Sequence, residues 1–172
     1  MDTNLHLLQS GCEVCGILLN PPENDYIIAQ STSWRITLAP DQFYPGRVFV
    51  TTLRHVRELS QLDYAEWQEL HQIIKWFEPA VESALGATHL TWAALMNNAY
   101  RPRDNPKAWH PHVHWHVRPR YANSFEMFDI SFKDEEFGHH HLREDHSRRL
   151  LPNQYAGIQL ALQGRVPQLW LP

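Results

Sequence analysis

From Trp109 to Val117 the chain alternates: His110, His112, His114 and His116 hold every second position, and Val113, Trp115 and Val117 fall between and after the last of them. In a β-strand, residues two apart share a face. An extended backbone therefore gathers the imidazoles on one side and turns Val-Trp-Val toward a core on the other. A helix would scatter the same histidines around its axis. The pattern thus requires a half-buried strand, and with it a sheet covered on one face. Pro111 cannot donate to a ladder, which puts His110 in the entering loop. The run Arg118-Pro119-Arg120 is expected to end the strand.

The rest of the chain supplies such a sheet and its cover. The segments "DYIIAQ", "SWRITL" and "RVFVTT" read as short strands, close enough together to pair antiparallel. Turn chemistry punctuates them at Asn20–Asp25 and Leu38–Gly46. From Ser60 the period changes. Leu70, Ile73, Ile74, Phe77, Val81 and Leu85 recur at helical steps, with Ser60/Asp63 or Asp63/Glu66 as the N-terminal cap and Gly86 as the stop. Pro79 is expected to kink or split this helix. "HLTWAALM" reads as a further strand, "NNAYRPRDNPKA" as a polar loop, and "NQYAGIQLALQG" as a short helix. The stretch from Phe125 to Leu150 mixes aromatic and charged residues without clear periodicity.

At 172 residues, 43% hydrophobic and 20% charged, the chain has the size and composition of one packed domain. A formal charge of -4 gives no reason to expect a stable nucleic-acid partner. No stretch is apolar for long enough to span a bilayer, so no membrane partner is expected. The N-terminal residues lack a basic leader with an apolar run, and a cytoplasmic, reducing setting is the expectation. There, Cys12 and Cys15 are thiols or metal ligands before they are a structural disulfide. C-x-x-C alone leaves open a redox pair, half a zinc site or two buried thiols.

A row of imidazoles suits metal ligation, nucleophilic or proton-transfer work near neutral pH, or contact with phosphate oxygens. The plainer reading, a solvated polar face, is strained by strict alternation backed by Val-Trp-Val. A cupin-like metal enzyme is disfavoured, because the helix after "LRHV" has no place in an all-β barrel.

The segment "HVHWHVRPR" resembles the signature of the histidine triad (HIT) family, His-φ-His-φ-His-φ-φ with φ apolar; Arg118 at the last φ departs from it. Upstream, "YPGRVFVTTLRHVRELSQL" is similar to the family's Pro-Gly-His segment and its later basic-His-Val. The resemblance spans about Cys12 to Tyr121. It implies an α+β fold, an antiparallel sheet of about five strands packed with a long helix. The implied organisation is a nucleotide-binding domain over 1–121 and a C-terminal extension over 122–172 packing on it. It also implies a nucleotide hydrolase or nucleotidyl transferase acting at an α-phosphate through a nucleotidyl-histidine intermediate. Dinucleoside polyphosphates or nucleoside phosphoramidates are the implied substrates, with no organic cofactor, and the implied assembly is a homodimer.

Carried over by position, His114 is the nucleophile, and His116 and His112 contact the substrate. Asn97 (or Asn98) and Asp41 are the nearest matches to further substrate-binding positions. Arg101 and Arg103 are candidate sources of positive charge. Some relatives bind zinc through positions that match Cys12, Cys15, His55 and His112, which implies a structural zinc ion here; the plainer alternative makes His55 a polar residue at helix entry. Two departures bear on chemistry. Pro-Gly-His becomes Pro-Gly-Arg at Arg47, and "NPKAW" (Asn105–Trp109) replaces a Gly-Gln-Ser/Thr type segment. They leave room for a second function, a nucleotide-binding regulatory module with little turnover. The second cluster, "GHHHLREDH" (Gly138–His146), reads as a solvated surface loop.

Overall fold

The computed structural model describes residues 9–22, 25–96, 110–139 and 147–171. Its elements run α1 (Glu13–Leu19), β1 (Ile27–Gln30), β2 (Trp34–Leu38), β3 (Val48–Thr52), α2 (Tyr64–Leu85), β4 (His89–Ala93), β5 (His114–Arg120), β6 (Phe125–Met127), β7 (Ile130–Phe132) and α3 (Pro152–Gln163). The fold is α+β. A five-stranded sheet has the order β1-β2-β3-β5-β4, every neighbouring pair antiparallel, and β6-β7 form a separate two-stranded ribbon. No helix among the described residues is long and apolar enough to cross a membrane.

Helix α2 is the cover that the histidine alternation demands. Asp63 caps its N-terminus: the Asp63 carboxylate accepts from the Glu66 amide at 2.8 Å, and the Glu66 carboxylate accepts from the Asp63 amide at 2.8 Å. Two orphan donors of the first turn are thereby satisfied. Gly86, at φ 72, closes the other end in the left-handed conformation glycine tolerates best. Between these ends Leu70, Ile73, Phe77, Val81 and Leu85 are buried. They share one core with Val48, Val50, Val113 and Val117 from the sheet side. Burying each such side chain contributes about 1.5–3 kcal/mol. Of the two outcomes expected of Pro79, a split does not occur: α2 runs unbroken over its 22 residues. The proline is exposed, so its ring meets solvent and its cost falls on one backbone hydrogen bond rather than on the core.

The histidine strand also differs from expectation at both ends. β5 begins at His114, which leaves His112 as well as His110 in the entering segment, and it continues through Arg118, Pro119 and Arg120 instead of ending there. Proline is tolerated because β3 pairs with β5 only as far as Val117, so at Pro119 the ladder continues on the β4 side alone, opposite Leu90. The region that lacked periodicity contains the β6-β7 ribbon. Its neighbour Asp134 pairs with Arg120 in a buried ion pair at 2.5 Å. Downstream, α3 contributes the fully buried Ile158 and Leu162 to the core and packs against α2 and β1. Tyr155 stacks on Tyr26 with centroids 4.7 Å apart, and Gln159 and Gln163 donate to the Ile27 carbonyl at 2.9 and 2.8 Å.

Candidate functional site

Two sites meet on the segment entering β5. The first is a cluster of Cys12, Cys15, His55 and His112, whose candidate ligand atoms all lie within 4.8 Å of one another. Cys12 is the N-cap of α1 and Cys15 its one buried residue, so a single helical turn brings both thiols to one side. His55 follows β3, and His112 precedes β5. The Cys15 Sγ lies 3.3 Å from His55 Nδ1 and 3.4 Å from His112 Nδ1; Cys12 Sγ lies 3.6 Å from His112 Nδ1. Tetrahedral zinc with Zn–S near 2.3 Å and Zn–N near 2.05 Å requires S···N edges of about 3.6 Å. The donor set and its spacing fit the metal.

The outer contacts fit as well. His112 Nε2 donates to the Thr52 carbonyl at 2.8 Å, which leaves the Nδ1 lone pair aimed at the thiols. The Gln9 amide donates to Cys15 Sγ at 3.4 Å. Burial pushes the Cys15 thiol up to about 11 and, despite the Thr52 hydrogen bond, the His112 imidazole down to about 4. His110, the histidine without an assignment from sequence, sits beside this cluster. Its Nδ1 is 3.0 Å from Gln9 Nε2, and its ring packs on Gly11, whose φ of 85 and absent side chain admit it.

The second site lies on the sheet face away from α2. Alternation along β5 puts His114, His116 and Arg118 on this face, opposite Thr51, Phe49 and Thr91 of the neighbouring strands. Phe49 meets both imidazoles edge-on, with centroids 5.8 Å from His114 and 4.9 Å from His116. The hydrogen bonds fix the tautomers. His114 Nδ1 lies 2.8 Å from the His112 carbonyl, which can only accept, so the proton is on Nδ1 and Nε2 carries the lone pair. Arg47 Nη2 lies 3.2 Å from His116 Nδ1, and a guanidinium only donates, so His116 carries its proton on Nε2. The two Nε2 atoms are 3.1 Å apart, donor facing acceptor. Burial lowers the His114 pKa, partly offset by the bond to the His112 carbonyl. His116 is pushed down to about 3 by burial first, then by His114, Arg47 and Arg118.

His112 has both ring nitrogens engaged, in the cysteine cluster and with Thr52, so its side chain has no nitrogen to spare for a substrate. Asp41 is likewise occupied: it pairs with Arg47 at 2.6 Å and accepts from the amides of Phe43 at 3.0 Å and Arg148 at 2.9 Å. Asn97, Asn98, Arg101, Arg103, the 105–109 segment and residues 140–146 lie outside the described residues. The contact sequence reading missed is Arg47 against His116. Its signal was the departure from Pro-Gly-His, and its meaning needs the β3-β5 register.

No family model matches the chain, and no curated protein sequence matches it. Solved structures do. A hypothetical histidine triad nucleotide-binding protein from Sulfolobus tokodaii superposes with a TM-score of 0.65 at 17% identity, covering 90% of this chain and 91% of that one. A histidine triad protein from Marinobacter aquaeolei gives 0.62 at 18% identity over 85% and 91%. A zinc-bound histidine triad family protein from Mycobacterium smegmatis gives 0.53 at 16% identity over 88% and 92%. The fold is therefore that of the histidine triad proteins. On that fold, this chain carries its own His-Val-His-Trp-His run at the start of the fourth strand in sheet order.

Proposed function

We propose that the protein is a nucleotide hydrolase or nucleotidyl transferase in which His114 Nε2 attacks an α-phosphorus. The observation that carries this reading is the 2.8 Å bond between His114 Nδ1–H and the His112 carbonyl. It commits the proton to Nδ1 and turns the Nε2 lone pair outward beside a second imidazole. A neutral imidazole needs no strong base to act as a nucleophile near pH 7. Attack forms a phosphorus–nitrogen bond to His114 and breaks the bond to the leaving phosphate or amine, which takes its proton from solvent water. Water or another acceptor then displaces His114. The His116 Nε2–H is a donor for the charge that builds on a phosphate oxygen in the transition state. Arg118, on the same face of β5 as His114 and His116, favours an anionic substrate. Dinucleoside polyphosphates and nucleoside phosphoramidates are the substrate classes of this reading.

The same reading gives Cys12, Cys15, His55 and His112 a structural zinc ion, which ties α1 to the β5 entrance and takes no part in bond breaking. It also includes a homodimer, supported by β4 forming one outer edge of the sheet. The test incubates purified protein with a diadenosine polyphosphate and with an adenosine phosphoramidate, with and without chelator, beside His114→Ala. Turnover that survives chelation and falls at least about 10³-fold in the variant is expected, since a lost nucleophile leaves only residual catalysis. Turnover retained by His114→Ala overturns the assignment. Nucleotide binding without turnover would instead support a regulatory binding module.

A further inference from the structure

His116 can donate to a phosphate oxygen through Nε2 only while its proton stays there, and an isolated neutral imidazole exchanges between two tautomers. The residue facing its other nitrogen decides the matter. We propose that Arg47 is the positioning residue that fixes His116 in its Nε2–H form, and that Asp41 and the Arg148 segment hold Arg47 to that task. The proposal rests on the His114 reading above and deepens it.

The geometry forms one directed chain. The Arg148 amide donates to Asp41 Oδ1 at 2.9 Å, and Asp41 Oδ2 takes Arg47 Nη1 at 2.6 Å. The guanidinium's other terminal nitrogen, Nη2, faces His116 Nδ1 at 3.2 Å, and His116 Nε2 faces His114 Nε2 at 3.1 Å. A proton on His116 Nδ1 would point at an N–H of arginine, and an imidazolium would face a cation. Both alternatives are disfavoured by the same contact. Gly46 makes the placement possible: it turns at φ 83 against Leu85, leaving no room for a side chain before Arg47. The Arg47 backbone is held too, its amide donating to the Tyr44 carbonyl at 3.0 Å and its carbonyl accepting from Gln42 Nε2 at 2.7 Å. Gln42 in turn donates its amide to the Arg148 carbonyl at 2.8 Å. The C-terminal extension thus reaches the catalytic face through two backbone groups of one residue. In the free protein the His116 donor rests on the attacking lone pair of His114, so a bound phosphate oxygen must draw that donor away before attack.

Ring-nitrogen NMR of histidine-labelled protein at neutral pH, with no substrate, tests this directly. The expected wild-type signal for His116 is a bare Nδ1 and a protonated Nε2. Arg47→Met should turn this into a tautomer mixture or an imidazolium. Asp41→Asn, which leaves Arg47 present but unanchored, should move the same resonances less. With an adenosine phosphoramidate, Arg47→Met should lower kcat about 10- to 100-fold, as loss of an orienting partner typically does, with a smaller change in KM. In a His116→Ala background the same substitution should cost little more, because the two act through one another. A His116 ring that stays purely Nε2–H in both variants overturns the proposal. So does an Arg47→Met effect as large without His116 as with it. Should the wild type lack turnover, the His114 reading fails while the ring signals still decide the role of Arg47.

Discussion

His112 belongs to both sites at once. Its Nδ1 faces the cysteine thiols, its Nε2–H is held by Thr52, and its carbonyl oxygen fixes the tautomer of His114. On the proposed reading, a metal at the cluster steadies the backbone from which His114 is oriented and does not touch the reacting atoms. Cys15→Ser should lower bound zinc below one equivalent by elemental analysis and reduce thermal stability. A site saturated at a hundredfold over its Kd contributes about 2.7 kcal/mol to the native state. Turnover at low temperature should fall modestly and persist. The triad itself was legible in sequence because a strand's period is two and the intervening residues are Val and Trp. The metal set was not legible from spacing: its contacts join Cys15 to His112 across 97 residues and to His55 across 40. Only the family resemblance brought these positions together. Arg47 and His116 are separated by 69 residues, and nothing short of strand register relates them.

At the scale of elements, α2 shows what a strong pattern secures. Its apolar stripe, its Asp63–Glu66 box and its Gly86 stop all agree, and the helix has the bounds they imply. Asp63→Ala should cost about 1 kcal/mol in urea unfolding, the usual worth of an N-cap side chain. Pro79→Ala restores a donor on an exposed helical turn and should stabilise the protein by about 1–3 kcal/mol. A lower urea midpoint for that variant would mean that Pro79 packs in a way its exposure does not suggest. The β6-β7 ribbon shows the opposite case. Its strands are three residues each, too short to display alternation. Its turn puts Phe128 and Asp129 at φ 55 and 56, where hairpins ordinarily signal themselves with Asn-Gly. The Asp134–Arg120 pair and the burial of Phe125, Ile130 and Phe132 hold this ribbon by tertiary contacts that local sequence does not announce.

At the scale of the molecule, the buried imidazoles couple stability to pH. His112 and His116 titrate at about 4 and about 3 in the fold, each lowered mainly by burial, against 6.5 for the free side chain. Below pH 6.5 the unfolded chain therefore takes up protons that the native state refuses, and stability falls as pH drops from 6.5 toward 3. Cys15 acts at the other end in metal-free protein. Its thiol is raised from 9.0 to about 11, so its contribution is present below pH 9.0 and is lost as pH rises through 11. Chemical denaturation across this range should show a plateau between the two limbs; a flat acid limb would contradict the burial of these rings.

The proposed mechanism requires that His114 Nε2 become bonded to phosphorus. It is tested most directly by mixing the protein rapidly with an adenosine phosphoramidate, quenching in base to protect the phosphorus–nitrogen bond, and locating the adduct by peptide mass spectrometry. Adenylate is expected on His114 in the wild type and none in His114→Ala. Turnover with the adduct on another residue, or turnover surviving in His114→Ala, would contradict it.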